Sequence, residues 1–389
     1  MSVIRVGFIL GDVGWMGGIN YYRSLLAAIQ ALPSVKIQPV VFVGFKSDVS
    51  QFQGYAEIIR TKTLDRYSLS WWISKLIKRA INRNYIIYFL LYKHNIHLVS
   101  HYDGLWKGCK IPSLGWIPDF QHIHLPEFFG EKDLVFRDSI FLHQIKHCNA
   151  VLLSSQDALK DLKIFCPDTL TPTFVLNFTP NPLIPKEILS YSSISQRYKL
   201  DRPWFHLPNQ FWVHKNHGVV IEALHILKQK GEEVLVVCTG SINDYRKPQY
   251  FQSLMKRVHE YKLEKNFIIL GVLPYADMMS LLHHSVATIN PSLFEGWSTT
   301  VEESKAMGKK IFLSNIEVHR EQNPQRGLYF TPDNPEELAE LISSHIFEHD
   351  LNLEEQFFID ASELAKNSFF QFGALYQDIV VKIVNSHAI

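Results

Sequence analysis

The sequence predicts an α/β protein of two domains, each a parallel sheet covered by helices. Three observations carry this. Short continuous apolar runs alternate with helical patterns through both halves, as parallel strands joined by crossover helices require. At 389 residues the chain exceeds one ordinary domain. Between the halves, Pro180, Pro182 and Pro185 followed by the polar run Ser190 to Arg197 make the best linker in the chain, so the boundary is drawn between 185 and 186.

Composition narrows the function classes. Net charge is +1 and charged residues are 20%, which gives no global electrostatic case for nucleic acid and none for disorder. Cys109, Cys148, Cys166 and Cys238 are scattered without C-x-x-C spacing, so neither a zinc ribbon nor a disulfide framework is expected, and a reducing cytoplasmic compartment is. The run Val6 to Leu10 is too short for a secretory h-region. The longest apolar stretch, Tyr85 to Tyr92, falls far below the roughly 18–20 residues that span a bilayer, so any membrane contact is expected to be peripheral.

In the first half, Val3 to Leu10 reads as a buried strand ending in G-D-V-G-W-M-G-G. Gly11, Gly14, Gly17 and Gly18 would let backbone pass close to a ligand, with a helix beginning near Ile19. The spacing is not G-x-G-x-x-G, and a generic glycine-rich turn is the plain alternative. Further strands are expected at Ile37 to Val43, His97 to Ser100, Ser113 to Ile117, Ala150 to Ser154 and Phe174 to Phe178. Ligands of such sheets gather at the carboxyl ends of strands, which draws notice to Gly115 to Phe129, carrying Asp119, His122, His124 and Glu127. An H-x-H pair without a further spaced ligand is a weak metal signal, and simple loop hydrogen bonding is the plainer reading of the cluster.

The stretch Ser68 to Lys93 stands out by charge. Trp72, Ile73, Leu76, Ile77 and Ile81 recur at roughly helical spacing, Lys75, Lys78, Arg79 and Arg83 favour the other side, and the segment holds no acid. Two readings stand: a surface helix packed on the first sheet, or a helix lying on an anionic membrane surface.

The second half restarts with a strand at Trp204 to Leu207, then P-N-Q-F-W-V-H-K-N-H. Asn216 is placed to cap a helix carrying Ile221, Leu224 and Leu227 to Gly231, which puts Lys215 at a helix start. A cation is misplaced there unless an anion lies between, although a solvated lysine is the plain alternative. Strands at Val234 to Cys238 and Phe267 to Leu270 end in Thr239-Gly240-Ser241 and Gly271-Val272-Leu273-Pro274-Tyr275. Next, Val286 to Ile289 delivers N-P-S-L-F-E-G-W-S-T-T-V-E-E-S-K-A-M-G, Asn290 to Gly308. Thr299 or Thr300 can open a helix that Gly308 closes. Glu295 sits in the loop among Leu293, Phe294 and Trp297, where a carboxylate is costly to bury without partners, and Glu303 lies eight residues on. Two acids there can grip two hydroxyl-bearing parts of one ligand, and the helix start favours a phosphate between them, which describes a nucleotide sugar. Thr299-x-x-Glu302 and Thr300-x-x-Glu303 are also capping boxes, so either acid could simply satisfy backbone donors. A strand at Lys310 to Ser314, a polar turn with Glu317, His319 and Glu321, and helical segments from Pro335 follow.

The pattern S-L-F-E-G-x6-E-x4-G resembles the C-terminal signature of retaining glycosyltransferases with the GT-B fold, in the family-four (glycosyl transferases group 1) class. The resemblance implies two Rossmann-like domains facing a cleft, and transfer of a sugar from a nucleoside diphosphate to an acceptor hydroxyl in polysaccharide, lipopolysaccharide or glycolipid assembly. It gives Glu295 the transferred sugar, Glu303 the ribose and Lys215 the diphosphate. The family's arginine position holds Asn209 or Gln210. Gly17 and Gly18 match a loop facing the donor phosphates and the acceptor; Thr239, Gly240, Val272 and Leu273 lie in the loops that hold the base; Gly296, Trp297, Ser298 and Thr299 complete the donor-binding set. The family places a histidine followed by Asp near the acceptor. Here Pro118 precedes Asp119, so that role passes to His122 or His124, or is missing.

The expected catalytic set is therefore Glu295, Lys215, Asp119 and His122, acting without a metal or other cofactor. Phe370 to Val384 resembles the family's crossover helix, so residues 1–185 with 370–389 form one expected domain and 186–369 the other. Expected partners are the nucleotide sugar and a saccharide or lipid-linked acceptor, with no nucleic acid; the enzyme is expected in the cytoplasm, and on the second reading of 68–93 that segment meets an anionic membrane surface and holds the enzyme peripherally at the inner face of the membrane. A nucleotide-sugar epimerase and a noncatalytic nucleotide-binding scaffold are the alternatives of other classes.

Overall fold

The computed structural model describes residues 3–10, 16–81, 83–182, 188–347 and 350–387. The chain forms two compact units, one of Met1–Phe120, Glu131–Asn181 and Ser368–Ile389, the other of Gln121–Gly130 and Pro182–Asn367. The ten residues Gln121–Gly130 thus belong with the second unit, where sequence order alone had placed them in the first.

In the first unit, β1 (Ile4–Ile9) leads to α1 (Met16–Gln30), then β2 (Ile37–Val43), β3 (Glu57–Arg60), α2 (Leu69–Ile81), α3 (Tyr85–Lys93), β4 (Leu98–Ser100) and β5 (Ser113–Ile117). The short helix α4 (Gln121–His124) lies in the excursion to the second unit, and α5 (Glu131–His147), β6 (Ala150–Leu153), α6 (Gln156–Phe165) and β7 (Thr173–Val175) complete the first. All seven strands are parallel, in the order β3-β2-β1-β4-β5-β6-β7. Such a sheet is buried on both faces, which is why its inner strands are continuous apolar runs: Val99, Leu114, Val151 and Leu152 are fully buried. The edge strand β3 is the exception, with Glu57 and Arg60 exposed. α1 begins at Met16, three residues earlier than expected, so Gly17 and Gly18 form its first turn and not the loop before it. Gly11 and Gly14 lie outside the described residues.

The second unit holds α7 (Tyr191–Tyr198), β8 (Phe205–Leu207), α8 (His217–Gln229), β9 (Val236–Thr239), α9 (Tyr250–Glu260), β10 (Phe267–Gly271), α10 (Tyr275–His284), β11 (Thr288–Asn290), α11 (Thr299–Ala306), β12 (Ile311–Ser314), α12 (Glu317–Gln322), β13 (Gly327–Phe330) and α13 (Pro335–His345). Its six parallel strands run β10-β9-β8-β11-β12-β13, so the order reverses between β8 and β11, where ligands of such sheets bind. The polar run Ser190 to Arg197 is a helix, not a linker. Ser190 caps it by accepting from Ser193 N; Ile194 is buried, Tyr191 stacks on the Trp204 ring at 5.3 Å, and Tyr198 donates to Asp277 at 2.5 Å.

The last helix, α14 (Leu351–His387), contributes to both units. In the second, Glu354 joins Lys309 at 2.8 Å and Arg326 at 2.6 Å. Gly308, which ends α11, has φ +62 and meets the Phe357 carbonyl so closely that a Cβ would overlap it, so glycine is required on both counts. In the first unit, Tyr376 donates to Ser100 Oγ at 2.8 Å, and Gln377 brackets the turn before β2 through Ser34 O and Lys36 N.

Candidate active site

The carboxyl ends of β8 and β11 carry the polar centre of the second unit. After β8, the chain turns through Val213–Lys215 and then Asn216, whose φ of +53 starts α8. Asn216 makes no side-chain cap. Its amide instead donates to Pro332 O at 2.7 Å and Pro291 O at 3.2 Å, tying the turn to the loop after β11. The Leu293 N–H donates to His214 O at 2.8 Å and closes the same seam.

Across it, Lys215 Nζ donates to Glu295 Oε1 at 2.5 Å, and Ser292 Oγ lies 2.6 Å from the same oxygen. The side chains of Lys215 and Glu295 are 16% and 9% exposed. The Glu295 side chain is thus largely withdrawn from solvent with a cation and a hydroxyl as its partners, which is what a carboxylate at such a position needs. The pair also accounts for Lys215 at a helix start without a further anion.

Beneath the pair is a closed polar network centred on buried Asn290, the last residue of β11. Its Oδ1 accepts from Asn209 Nδ2 at 3.0 Å and lies 2.9 Å from Ser292 Oγ; its Nδ2 donates to Ser298 Oγ at 2.7 Å and approaches His319 Nε2 at 3.3 Å. These contacts engage both the oxygen and the nitrogen of the amide. His319 Nδ1 is 2.8 Å from the Ser314 carbonyl, which can only accept, so that nitrogen carries the proton and Nε2 accepts from Asn290. Burial drives the His319 pKa down to about 4, with Lys215 adding to the depression, so the ring is neutral.

Ser298 is the N-cap of α11, accepting from Val301 N, so neither Thr299 nor Thr300 caps the helix and neither capping box forms. Thr300 Oγ1 donates toward Asn209 Oδ1 at 3.3 Å. Glu302 is buried with Gln322 at 2.9 Å and Lys305 at 3.1 Å, and burial raises its pKa. Glu303 lies one residue on, half-buried, and accepts from Tyr275 OH at 3.1 Å. The second acid therefore faces the loop after β10, where Val272 is exposed and Leu273 half-buried.

Asn209 is 3% exposed and committed to Asn290 and Thr300; Gln210 is half-buried. Thr239 is buried, with Oγ1 3.0 Å from His206 Nε2. At Gly240, φ is +133 and a Cβ would stand 2.6 Å from Asn209 O, so glycine there lets the β8 and β9 loops touch. Gly296 and Trp297 are half-buried and Thr299 exposed.

Asp119 pairs with Arg137 at 2.7 Å, and with Gly17 and Gly18 belongs to the first unit. His122 is buried in α4, its ring edge-on to Phe129 at 6.4 Å. His124 is the histidine that reaches the Glu295 loop, its ring 5.1 Å from Phe294. Sequence reasoning missed Arg246. Its guanidinium lies 3.1 Å from Gln121 Oε1 and 3.4 Å from both Asp244 Oδ1 and His214 Nδ1, and sits 4.9 Å and 5.0 Å over the rings of Trp212 and Phe129. It fastens Gln121–Gly130 to the Lys215 turn. Nothing in its Y-R-K context signals this, because Gln121, Phe129, Trp212 and His214 lie far off in sequence. Burial, with Lys215 and Arg246 nearby, lowers the His214 pKa. Among the described residues, no three His, Cys, Asp or Glu side chains are grouped to hold a metal ion, and no helix is long and apolar enough to cross a membrane.

Comparison with known proteins follows the same division. Residues 197–357 match the family model of glycosyl transferases group 1. No curated protein sequence matches. Over the whole chain the structure is similar to a glycosyltransferase from Rickettsia africae ESF-5 (TM-score 0.68, 16% identity, 100% of this chain and 99% of that one). It is also similar to Anabaena HepE in complex with UDP and glucose (0.69, 15%, 97% and 99%). A third similar structure is WaaG, a glycosyltransferase involved in lipopolysaccharide biosynthesis (0.64, 14%, 96% and 99%).

Proposed function

We propose that the chain, whose residues 197–357 match the family model of glycosyl transferases group 1 and whose fold is that of GT-B glycosyltransferases, transfers a sugar from a nucleoside diphosphate to an acceptor hydroxyl with retention at the anomeric carbon. The carrying observation is the Lys215–Glu295 pair at the β8/β11 reversal of the second sheet, with Glu303 one turn into the adjoining helix. HepE, similar in fold, is seen with UDP-glucose, which supports a nucleotide sugar as donor.

In this reading Lys215 turns from Glu295 to the diphosphate, and Glu295 accepts from hydroxyls of the sugar. Glu303, held by Tyr275, takes the ribose. The bond from the anomeric carbon to the phosphate oxygen breaks. The acceptor oxygen bonds to that carbon on the same face, and its proton passes to the departing phosphate oxygen. Stabilising the leaving charge is the chief task, and the Lys215 amine, once turned, performs it with helix-start N–H groups and without a metal. A saccharide or lipid-linked acceptor, in polysaccharide, lipopolysaccharide or glycolipid assembly, would keep the enzyme peripheral at the inner face of a membrane through residues 68–93.

Incubation with a panel of nucleotide sugars, with and without acceptors, tests the reading. Nucleoside diphosphate and a product of unchanged anomeric configuration are expected. An isomerised nucleotide sugar formed without acceptor would mean an epimerase, and an inverted product would exclude retention.

A further inference from the structure

The helix α2 presents the wrong face to its own domain. Its one buried residue is polar: Ser74 donates to Asn84 Oδ1 at 3.2 Å, and Asn84 in turn donates to Tyr102 OH at 3.2 Å, while Trp71 and Ile77 beside it are half-buried. At its start, Ser68 Oγ donates to Lys62 O at 2.6 Å and lies 3.1 Å from Trp71 N, fixing the entry. These polar hooks set the rotation of the helix. The apolar residues at positions i, i+3, i+4 and i+7 are left outside: Leu69 is 78% exposed, Trp72 50%, Ile73 42% and Leu76 62%. A helix packed on the sheet by its apolar stripe would show the reverse.

We propose that this outward face of α2 seats on an anionic lipid bilayer, with Leu69, Trp72, Ile73 and Leu76 entering the headgroup boundary and Lys75 and Arg79 meeting lipid phosphates. It deepens the reading of a peripheral enzyme by assigning the side chains that hold it there. Charge selects this occupant. The whole chain carries +1, whereas residues 68–93 hold Lys75, Lys78, Arg79, Arg83 and Lys93 and no acid. A protein partner for an apolar stripe needs no such one-signed rim. Trp72 sits edge-on to Trp71 at 4.8 Å, with Lys75 Nζ 5.6 Å above the Trp71 ring, so the aromatic and basic groups are interleaved as an interfacial helix requires.

The test uses the full chain and vesicles of phosphatidylcholine, with or without phosphatidylglycerol, in a sedimentation assay at low and high salt. Binding should require the anionic lipid and weaken with salt. Each basic residue is worth roughly fivefold in partitioning, so Lys75, Lys78, Arg79 and Arg83 all changed to Gln should cost roughly several-hundredfold. Leu76→Glu should abolish binding while all four charges remain, which separates insertion from simple attraction. Both variants should keep the wild-type unfolding midpoint and nucleoside-diphosphate affinity, read without vesicles. Binding indifferent to lipid charge, binding unchanged in either variant, or a stable dimer in solution that Leu76→Glu dissociates would overturn the proposal. Loss of nucleotide binding in the wild type would instead count against the transferase reading and leave the vesicle result intact.

Discussion

Glu295→Gln isolates the charge of the carboxylate. The substitution keeps the shape of the loop and a carbonyl oxygen where Oε1 now accepts from Lys215 and Ser292. Hydrogen bonds to a charged group contribute roughly 1.5–3 kcal/mol, against about 1 kcal/mol between neutral groups. If two sugar hydroxyls donate to Glu295, the transition state loses about 2–3 kcal/mol, roughly a hundredfold in kcat/KM. Nucleoside diphosphate affinity should move the other way or stay level, because Lys215 no longer has to leave a carboxylate to meet the phosphates. Folding should suffer less than from removal of a fully buried partner, since both side chains keep some access to water. Steady-state turnover with the natural donor, together with a calorimetric titration of the diphosphate, gives both numbers. A folded variant with near-normal kcat/KM would remove Glu295 from the sugar site.

Lys215→Ala should depress kcat more than donor affinity, because charge on the leaving oxygen grows toward the transition state; an effect confined to KM would contradict that role. A chelator should leave the wild-type rate unchanged, and activity lost and then restored by added metal would overturn the metal-free mechanism. Gly240→Ala should destabilise the fold by roughly 2 kcal/mol, since it imposes φ +133 on alanine and presses Cβ against Asn209 O; an unchanged urea midpoint would refute the close approach. Acid should weaken the second unit. Burial lowers the pKa values of His206 and His217 to about 3 and of His319 to about 4, so the unfolded chain binds more protons below pH 6.5, and their stabilisation is full above 6.5 and lost as pH falls toward 4 and 3. Urea midpoints at pH 7 and pH 5 should differ accordingly, and equal midpoints would contradict the neutral buried histidines.

The inner strands were legible because a sheet buried on both faces demands continuous apolar runs; Ile37 to Val43 and Ser113 to Ile117 were read to the residue. Strand β3, E-I-I-R, and β13, G-L-Y-F, are edge strands with short apolar runs that are only partly buried, and were not seen. Ser190 to Arg197 looked like linker because serine is a poor helix former, yet Ser190 caps a helix whose Ile194 is buried. Glu295 and Lys215 could be singled out from their loop contexts, but their contact joins residues eighty apart, and only the strand order brings β8 beside β11. The same distance hid the Asn290 network and Arg246. For α2 the periodicity was legible and the facing was not, because Ser74 and Asn84 set the rotation through a contact between two helices.

The central claim is that the second unit binds the diphosphate of a nucleotide sugar against Lys215. Thermal unfolding of the wild type and Lys215→Ala, each with a panel of nucleoside diphosphates at one common concentration, about a hundred times the wild-type Kd of the tightest binder, tests it directly. One base should stabilise the wild type by about 2.7 kcal/mol and Lys215→Ala by clearly less. Equal stabilisation of both proteins, or none by any nucleoside diphosphate, would contradict the account.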